Sequence, residues 1–136
     1  MPGSRPAGPE WMDLRVLPDV LCVGRLPADA PWPQPGSDRT PFSVTRTGNE
    51  LSIVGTEDSI PAGAKVQPNW RVIEVAGPLD FGLVGVLAGL TATLAEAKVS
   101  VFVISTYDTD YILVPAAALD GALAALESSG HQLTYL

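Results

Sequence analysis

Apolar and polar positions change period several times along this chain, and the changes mark out elements. Arg71–Ala76 (RVIEVA) alternates at period two, with Ile73 and Val75 on one face and Glu74 on the other, which predicts a strand. Gly77-Pro78 then turns the chain. Over residues 80–97 the period lengthens. Leu83, Val86, Leu87, Leu90 and Leu94 fall at three- and four-residue steps, the apolar stripe of a helix. Val99–Ser105 (VSVFVIS) returns to period two, Tyr107-Asp108-Thr109-Asp110 reads as a turn, and Tyr111–Val114 as the returning strand. Pro115 stands at the favoured first position of a second helix, whose stripe is Leu119, Leu123 and Leu126 and which Gly130 ends. Gln132–Leu136 supplies a last short strand.

The first half is patterned differently. Nine of the thirteen prolines fall within residues 1–41, and only Pro78 and Pro115 follow Trp70. Residues 1–12 read as an unordered arm. Residues 14–26 (LRVLPDVLCVGRL) favour extended structure but contain Pro18, which predicts two short strands or one edge strand. Five prolines make residues 27–41 a loop. Phe42–Thr45 and Leu51–Val54 alternate around Gly48-Asn49, a β-hairpin pattern, and residues 55–69 read as loop again.

Residues 70–136 therefore run βαββαβ. Both helix stripes need the same apolar sheet face, which makes the fold class α+β and fits a ferredoxin-like split βαβ arrangement. The region before it supplies strands without a convincing helix, so it is expected to extend a sheet. The domain reading is an arm at 1–12, a strand-rich partial unit at 13–69 and a complete unit at 70–136.

Composition narrows the chemistry. The chain has 136 residues, 46% of them hydrophobic, and a mean hydropathy of +0.23, enough apolar material for a core. Eight basic against fifteen acidic residues leave a net charge of −7. That balance disfavours nucleic acid and anionic membrane surfaces as partners. The opening Met1–Pro6 lacks the apolar core of a signal peptide. The longest uncharged stretch, Phe81–Ala95, is too short to span a bilayer. A cytoplasmic protein is expected. One cysteine and one histidine leave no internal disulfide, no metal cluster and no nucleophile–base pair, so neither an enzyme nor a cofactor is expected. Cys22 reads as a small buried hydrophobe, His131 as a surface residue, and Trp32 and Trp70 as covers for a core edge. An RNA-reading sheet of the same topology would need basic and aromatic residues on its open face, whereas Val99–Ser105 offers Phe102 alone.

The run Gly77–Val114 (GPLDFGLVGVLAGLTATLAEAKVSVFVISTYDTDYILV) resembles the ACT domain. Within that family it is similar to the branch holding bacterial relatives of CASTOR-type amino-acid sensors and aspartokinase regulatory domains. Val101–Val114 carries the most specific likeness, and Gly77-Pro78-Leu79 with Phe81 and Gly85 a weaker one. The resemblance covers about Trp70 to Gln132, and residues 13–60 depart from the full pattern, with a proline loop where a helix belongs. It implies a regulatory module without catalytic residues that binds a small molecule, often an amino acid, where two domains meet. A homodimer is then expected, because one complete unit per chain supplies only one wall of such a site.

On that reading the site residues are Gly77, Leu79, Asp80, Phe81 and Gly82 at the opening of the helix, and Ser100, Val101, Thr106, Tyr107, Asp108 and Asp110 around the following strand. A helix start near Asp80 would present unpaired N–H groups to a carboxylate, and Gly82 and Gly85 would admit a ligand to the backbone. Asp80, Asp108 or Asp110 would meet an ammonium, and Ser100, Thr106 and Tyr107 offer hydroxyls. Asp80 reads more readily as an N-cap than as a ligand residue, and the two aspartates of the turn read equally as turn formers. The helix glycines also suit close packing. Leu83 stands where an acidic residue would help hold a basic side chain, which argues against arginine as the ligand. An adaptor that keeps the fold and dimerises or docks without a metabolite is the alternative.

Overall fold

The alternation of Leu14 and Val16 with Asp13 and Arg15 is realised in the computed structural model, which describes residues 11–36, 40–76 and 85–136. Leu14 and Val16 are buried while Asp13 and Arg15 face solvent, as period-two patterning requires of a strand with one covered face. The described residues form strands β1 (Asp13–Leu26), β2 (Ser43–Arg46), β3 (Leu51–Gly55) and β4 (Lys65–Val75). They continue with helix α1 (Val86–Glu96), strands β5 (Phe102–Ser105) and β6 (Asp110–Pro115), helix α2 (Leu119–Ser128) and strand β7 (Gln132–Tyr135). Short 3₁₀ turns occupy Glu57–Ser59 and Ala116–Ala118. The chain divides into two compact units. One comprises the described residues up to Pro18 with Val72–Leu136, the other Asp19–Arg71.

In the first unit the elements from β4 onward run βαββαβ, the ferredoxin-like α+β pattern. The strand order is β7-β1-β4-β6-β5, with β7 parallel to residues 13–16 of β1 and β6 antiparallel to β5. Both helices set their stripes on one core. Leu90 and Leu94 of α1 and Leu119, Ala122, Leu123 and Leu126 of α2 pack with Met12, Leu14, Val16, Ile73, Val75, Ile112 and Val114. Burying each large aliphatic side chain contributes about 1.5–3 kcal/mol, which is how sparse helices of ten or eleven residues are held. Residues 1–10 of the expected arm lie outside the described residues. Trp11 is exposed and Met12 is buried.

Both helices close with the same hydrogen-bond pair. After α2, Gly130 N–H donates to Glu127 and His131 N–H to Leu126, with Gly130 at φ +99. After α1, Lys98 N–H donates to Ala95 and Val99 N–H to Leu94, but the left-handed position is held by Lys98 at φ +60.

The second unit has the strand order β2-β3-β1-β4. Residues 22–26 of β1 pair antiparallel with β3, and β3 with β2. Leu26, Leu51 and Ile53 form its small core, flanked by Ala30, Phe42, Val44, Ile60 and Ala64. The hairpin expected around Gly48-Asn49 is β2–β3.

Several local expectations are corrected. Residues 13–26 form one continuous strand with neighbours on both sides, not two short strands or an edge. Pro18 falls beyond the register with β7 (13–16) and before that with β3 (22–26), so neither of these two ladders needs its missing N–H. The stretch 55–69 is not all loop, since β4 begins at Lys65 and carries Pro68 and Asn69 within it. Pro115 ends β6 and precedes the 3₁₀ turn instead of opening α2. Gly89 does not serve close packing among the described residues, for a Cβ there would meet none of their atoms within 4 Å. Trp32 is exposed and lies 5.7 Å from the Arg46 guanidinium, a cation–π contact and not a core cover.

Candidate functional site

The hairpin between β5 and β6 turns through Thr106–Thr109, and its own side chains close it. Thr106 N–H and hydroxyl both donate to the Thr109 carbonyl, at 2.8 and 3.1 Å, and Thr109 N–H donates to the Thr106 hydroxyl at 3.3 Å. At the mouth of the turn Ser105 Oγ donates to Asp110 Oδ1 at 2.6 Å. Such short polar side chains form the turn because each satisfies a backbone group that no ladder partner reaches. Thr109 goes further. Its buried hydroxyl donates to the Val75 carbonyl at 2.7 Å and fastens the turn to the last residue of β4, just before residues 77–84.

The other flank of that strand end is equally fixed. Ala76 N–H donates to the Asp13 carbonyl at 2.9 Å, and Met12 exchanges two bonds with the start of β7. Gln132 N–H donates to the Met12 carbonyl, and Met12 N–H donates to His131 Nδ1 at 3.0 Å. His131 is thus a half-buried acceptor, not the expected surface residue. Burial holds its pKa below the ordinary value, in keeping with a neutral ring whose Nδ1 lone pair is engaged.

The expected site residues separate into three groups. Gly77, Leu79, Asp80, Phe81 and Gly82 lie outside the described residues. Thr106, Tyr107, Asp108 and Asp110 come together at the hairpin turn, with Tyr107 82% exposed and Asp108 facing solvent. Ser100 and Val101 precede β5, so the four-residue strand sets them about 13 Å from the turn. The helix start is also corrected. Gly85, not Asp80, caps α1, adopting φ +83, and the first helical N–H groups are those of Val86, Leu87 and Ala88.

Three residues not singled out in the sequence join the turn. Arg15 on β1 lies 3.7 Å from Glu74 on β4, and Tyr111 on β6 donates its hydroxyl hydrogen bond to Glu74. Burial pushes the Tyr111 phenol above its usual pKa. The negative charge of Glu74, the bond to it and the charge of Asp108 act in the same direction, and Arg15 opposes them. The phenol stays protonated and donating at neutral pH. With Asp108 and Asp110 this end of the sheet presents carboxylates and hydroxyls, an arrangement suited to accepting hydrogen bonds from an ammonium or other donor. The signal for Arg15, Glu74 and Tyr111 was the strand parity that sets them opposite Leu14, Ile73 and Ile112. For Thr109 the sequence offered only a turn former.

Residues 65–128 match the family model of the ACT domain, from β4 to the end of α2. This chain belongs to the ACT domain family. A separate model, of an N-terminal domain, matches residues 19–63. Along nearly its whole length this ACT-domain chain is similar to a crystal structure of a protein from Agrobacterium tumefaciens, at 31% identity and a TM-score of 0.84, covering 93% of this chain and 94% of that one. It is 34% identical over 122 residues to the cytosolic arginine sensor for mTORC1 subunit 1 of Pongo abelii, covering 82% of this chain and 37% of the sensor. The chain thus spans little more than a third of that relative. The regulatory subunit of aspartate kinase from Thermus thermophilus shares the fold, with a TM-score of 0.60 at 12% identity over 86% of this chain and 96% of that one. No helix among the described residues is long and apolar enough to cross a membrane.

Proposed function

We propose that this ACT-domain protein is a non-catalytic, cytoplasmic regulator that binds a small molecule, foremost an amino acid, where two ACT units or two copies of the chain meet. The observation that carries the reading is the bond from Thr109 to Val75, which fixes an acidic, hydroxyl-rich turn to the strand end from which residues 77–84 depart. A ligand's ammonium would face Asp108 or Asp110, and its carboxylate the backbone of the segment holding Gly77, Asp80 and Gly82. Thr106 and Tyr107 would add hydroxyls from the same chain. Ser100 and Val101, at the far end of β5, would serve the site of a neighbouring unit. The sensor relative supports an amino-acid ligand and a cytosolic setting.

A thermal-shift screen against the twenty amino acids tests this. Ligand at 100 times its Kd should add about 2.7 kcal/mol to stability. Asp110→Ala and Asp80→Ala should each weaken the response, and undiminished affinity in both removes the site from this place. Light scattering should find a dimer. A folded dimer that answers to no amino acid supports instead the adaptor reading, in which the fold is kept for docking alone.

A further inference from the structure

The second unit carries an open cavity of about 550 Å³ that the proposed function leaves unused. Its floor is β1, where Val20 and Cys22 sit two residues apart and so on one face. Its walls are the segment from Ile60 to Ala64 together with Val66 and Pro68 of β4. The volume lies in the range of small-ligand sites, roughly 300–1,000 Å³, and most of the described lining side chains are apolar, with polar backbone groups and the side chains of Glu57 and Asn69 exposed among them. Val20 and Val66, 49% and 44% exposed, leave apolar surface at this cavity in contact with water.

The polar groups decide what can fill it. Among the described residues of the lining Glu57 supplies the one carboxylate, and none is a lysine, arginine or histidine. Cys22 receives the backbone hydrogen bond of Asn69, a residue held in the left-handed region at φ +67. Burial and the nearby charge of Glu57 push the Cys22 thiol upward in pKa, so at neutral pH it is protonated and reacts only slowly as a nucleophile. Among the described lining residues an anion would find no cationic side chain and would face the Glu57 carboxylate. An amino acid, whose carboxylate must be satisfied, fits poorly for the same reason.

We propose that this cavity binds a compact apolar amine without a carboxylate. Its hydrocarbon body lies against Val20, Ile60 and Val66, and its ammonium meets the Glu57 carboxylate at the rim. The binding is non-covalent and independent of the amino-acid site.

Three probes of one shape separate the contributions: 2-phenylethylamine, 2-phenylethanol and 3-phenylpropionate. Amide chemical shifts are followed by NMR, and the rate of N-ethylmaleimide addition to Cys22, the single cysteine, is followed by mass spectrometry. The amine should shift the amides of Cys22, Ala62 and Gly63 and slow the thiol reaction. The alcohol should bind about three-fold more weakly, since an exposed charge contact adds only that much, and the carboxylate should not bind. Glu57→Gln should erase the preference for amine over alcohol. Ala62→Trp, at an exposed rim position, should block both probes while the amide spectrum elsewhere stays native. Equal binding of all three probes, no binding of the amine, or an unchanged preference in Glu57→Gln overturns the proposal. Shifts confined to residues 77–110 would instead locate the amine at the other unit and overturn it too.

Discussion

The hydroxyl of Thr109 donates a 2.7 Å hydrogen bond to the backbone carbonyl of Val75, and neither group is open to water. A turn that carries Asp108 and Asp110 is thereby tied to the strand that leads into residues 77–84. One side-chain oxygen thus adds a tertiary bond to a turn that the β5–β6 ladder already closes.

Replacing that oxygen is the direct test. Thr109→Val keeps the shape, removes the donor and leaves a buried carbonyl unpaired, which should cost about 1–3 kcal/mol in urea denaturation. Thr109→Ser keeps the donor and should lose less. A Thr109→Val protein as stable as the parent would show that the bond contributes nothing.

Glycine is wanted at one helix-related position and unwanted at another. Lys98 holds a left-handed conformation at the end of α1, where a Cβ is strained, so Lys98→Gly should raise stability by about 1 kcal/mol. Gly89 lies inside α1 with no atom of the described residues within 4 Å of an added Cβ, so Gly89→Ala should also raise stability, by about 0.5–1 kcal/mol. Thermal unfolding of the two single variants and the double variant checks both, and the gains should add. A loss in Gly89→Ala would mean that another surface covers this face of α1.

His131 accepts the Met12 N–H only while its Nδ1 is unprotonated. Its folded-state pKa lies below the ordinary 6.5 because the ring is partly buried. The sign follows from the protons bound. Between the two pKa values the unfolded chain is protonated and the folded one is not, so stability rises with pH in that window. The contribution is complete above about pH 6.5 and is lost as pH falls through the folded-state pKa. His131→Asn should flatten this part of the stability profile, measured by urea melts at stepped pH. Parallel profiles for the two proteins below neutrality would disprove the account.

Leu126 is fully buried between α2 and the sheet and anchors the core of the first unit. Leu126→Ala should cost about 2–5 kcal/mol through lost burial and the cavity left behind. Leu136→Ala, at a 62% exposed side chain, should stay within about 0.5 kcal/mol. Similar losses at both positions in equilibrium denaturation would contradict the core assignment.

Much of the first unit was legible because its signals are local. Leu90 and Leu94, and Leu119, Leu123 and Leu126, are read from spacing within one helix, and Thr106–Asp110 from turn chemistry within five residues. Legibility failed where a local penalty is overruled from a distance. Pro68 and Asn69 disfavour extended chain, yet β4 runs through both, and Pro18 sits inside a strand of fourteen residues. Of the candidate site, the acidic turn was visible from its residue types. The partners Arg15, Glu74 and Tyr111 were not, because they come from three strands.

By itself, then, the sequence determined the order of strands and helices from Arg71 onward, which face of each is apolar, and so the βαββαβ pattern that makes the fold ferredoxin-like. Only the tertiary structure decided that residues 13–16 lie between β7 and β4, that His131 accepts from Met12 across 119 positions, and that Thr109 reaches Val75. The reason is physical. Side-chain periodicity reports the face a residue presents, and that is settled within a few residues of chain. A strand's neighbour is chosen by backbone hydrogen bonds, whose N–H and C=O groups are the same for every residue and whose partners the chain must fold back to supply.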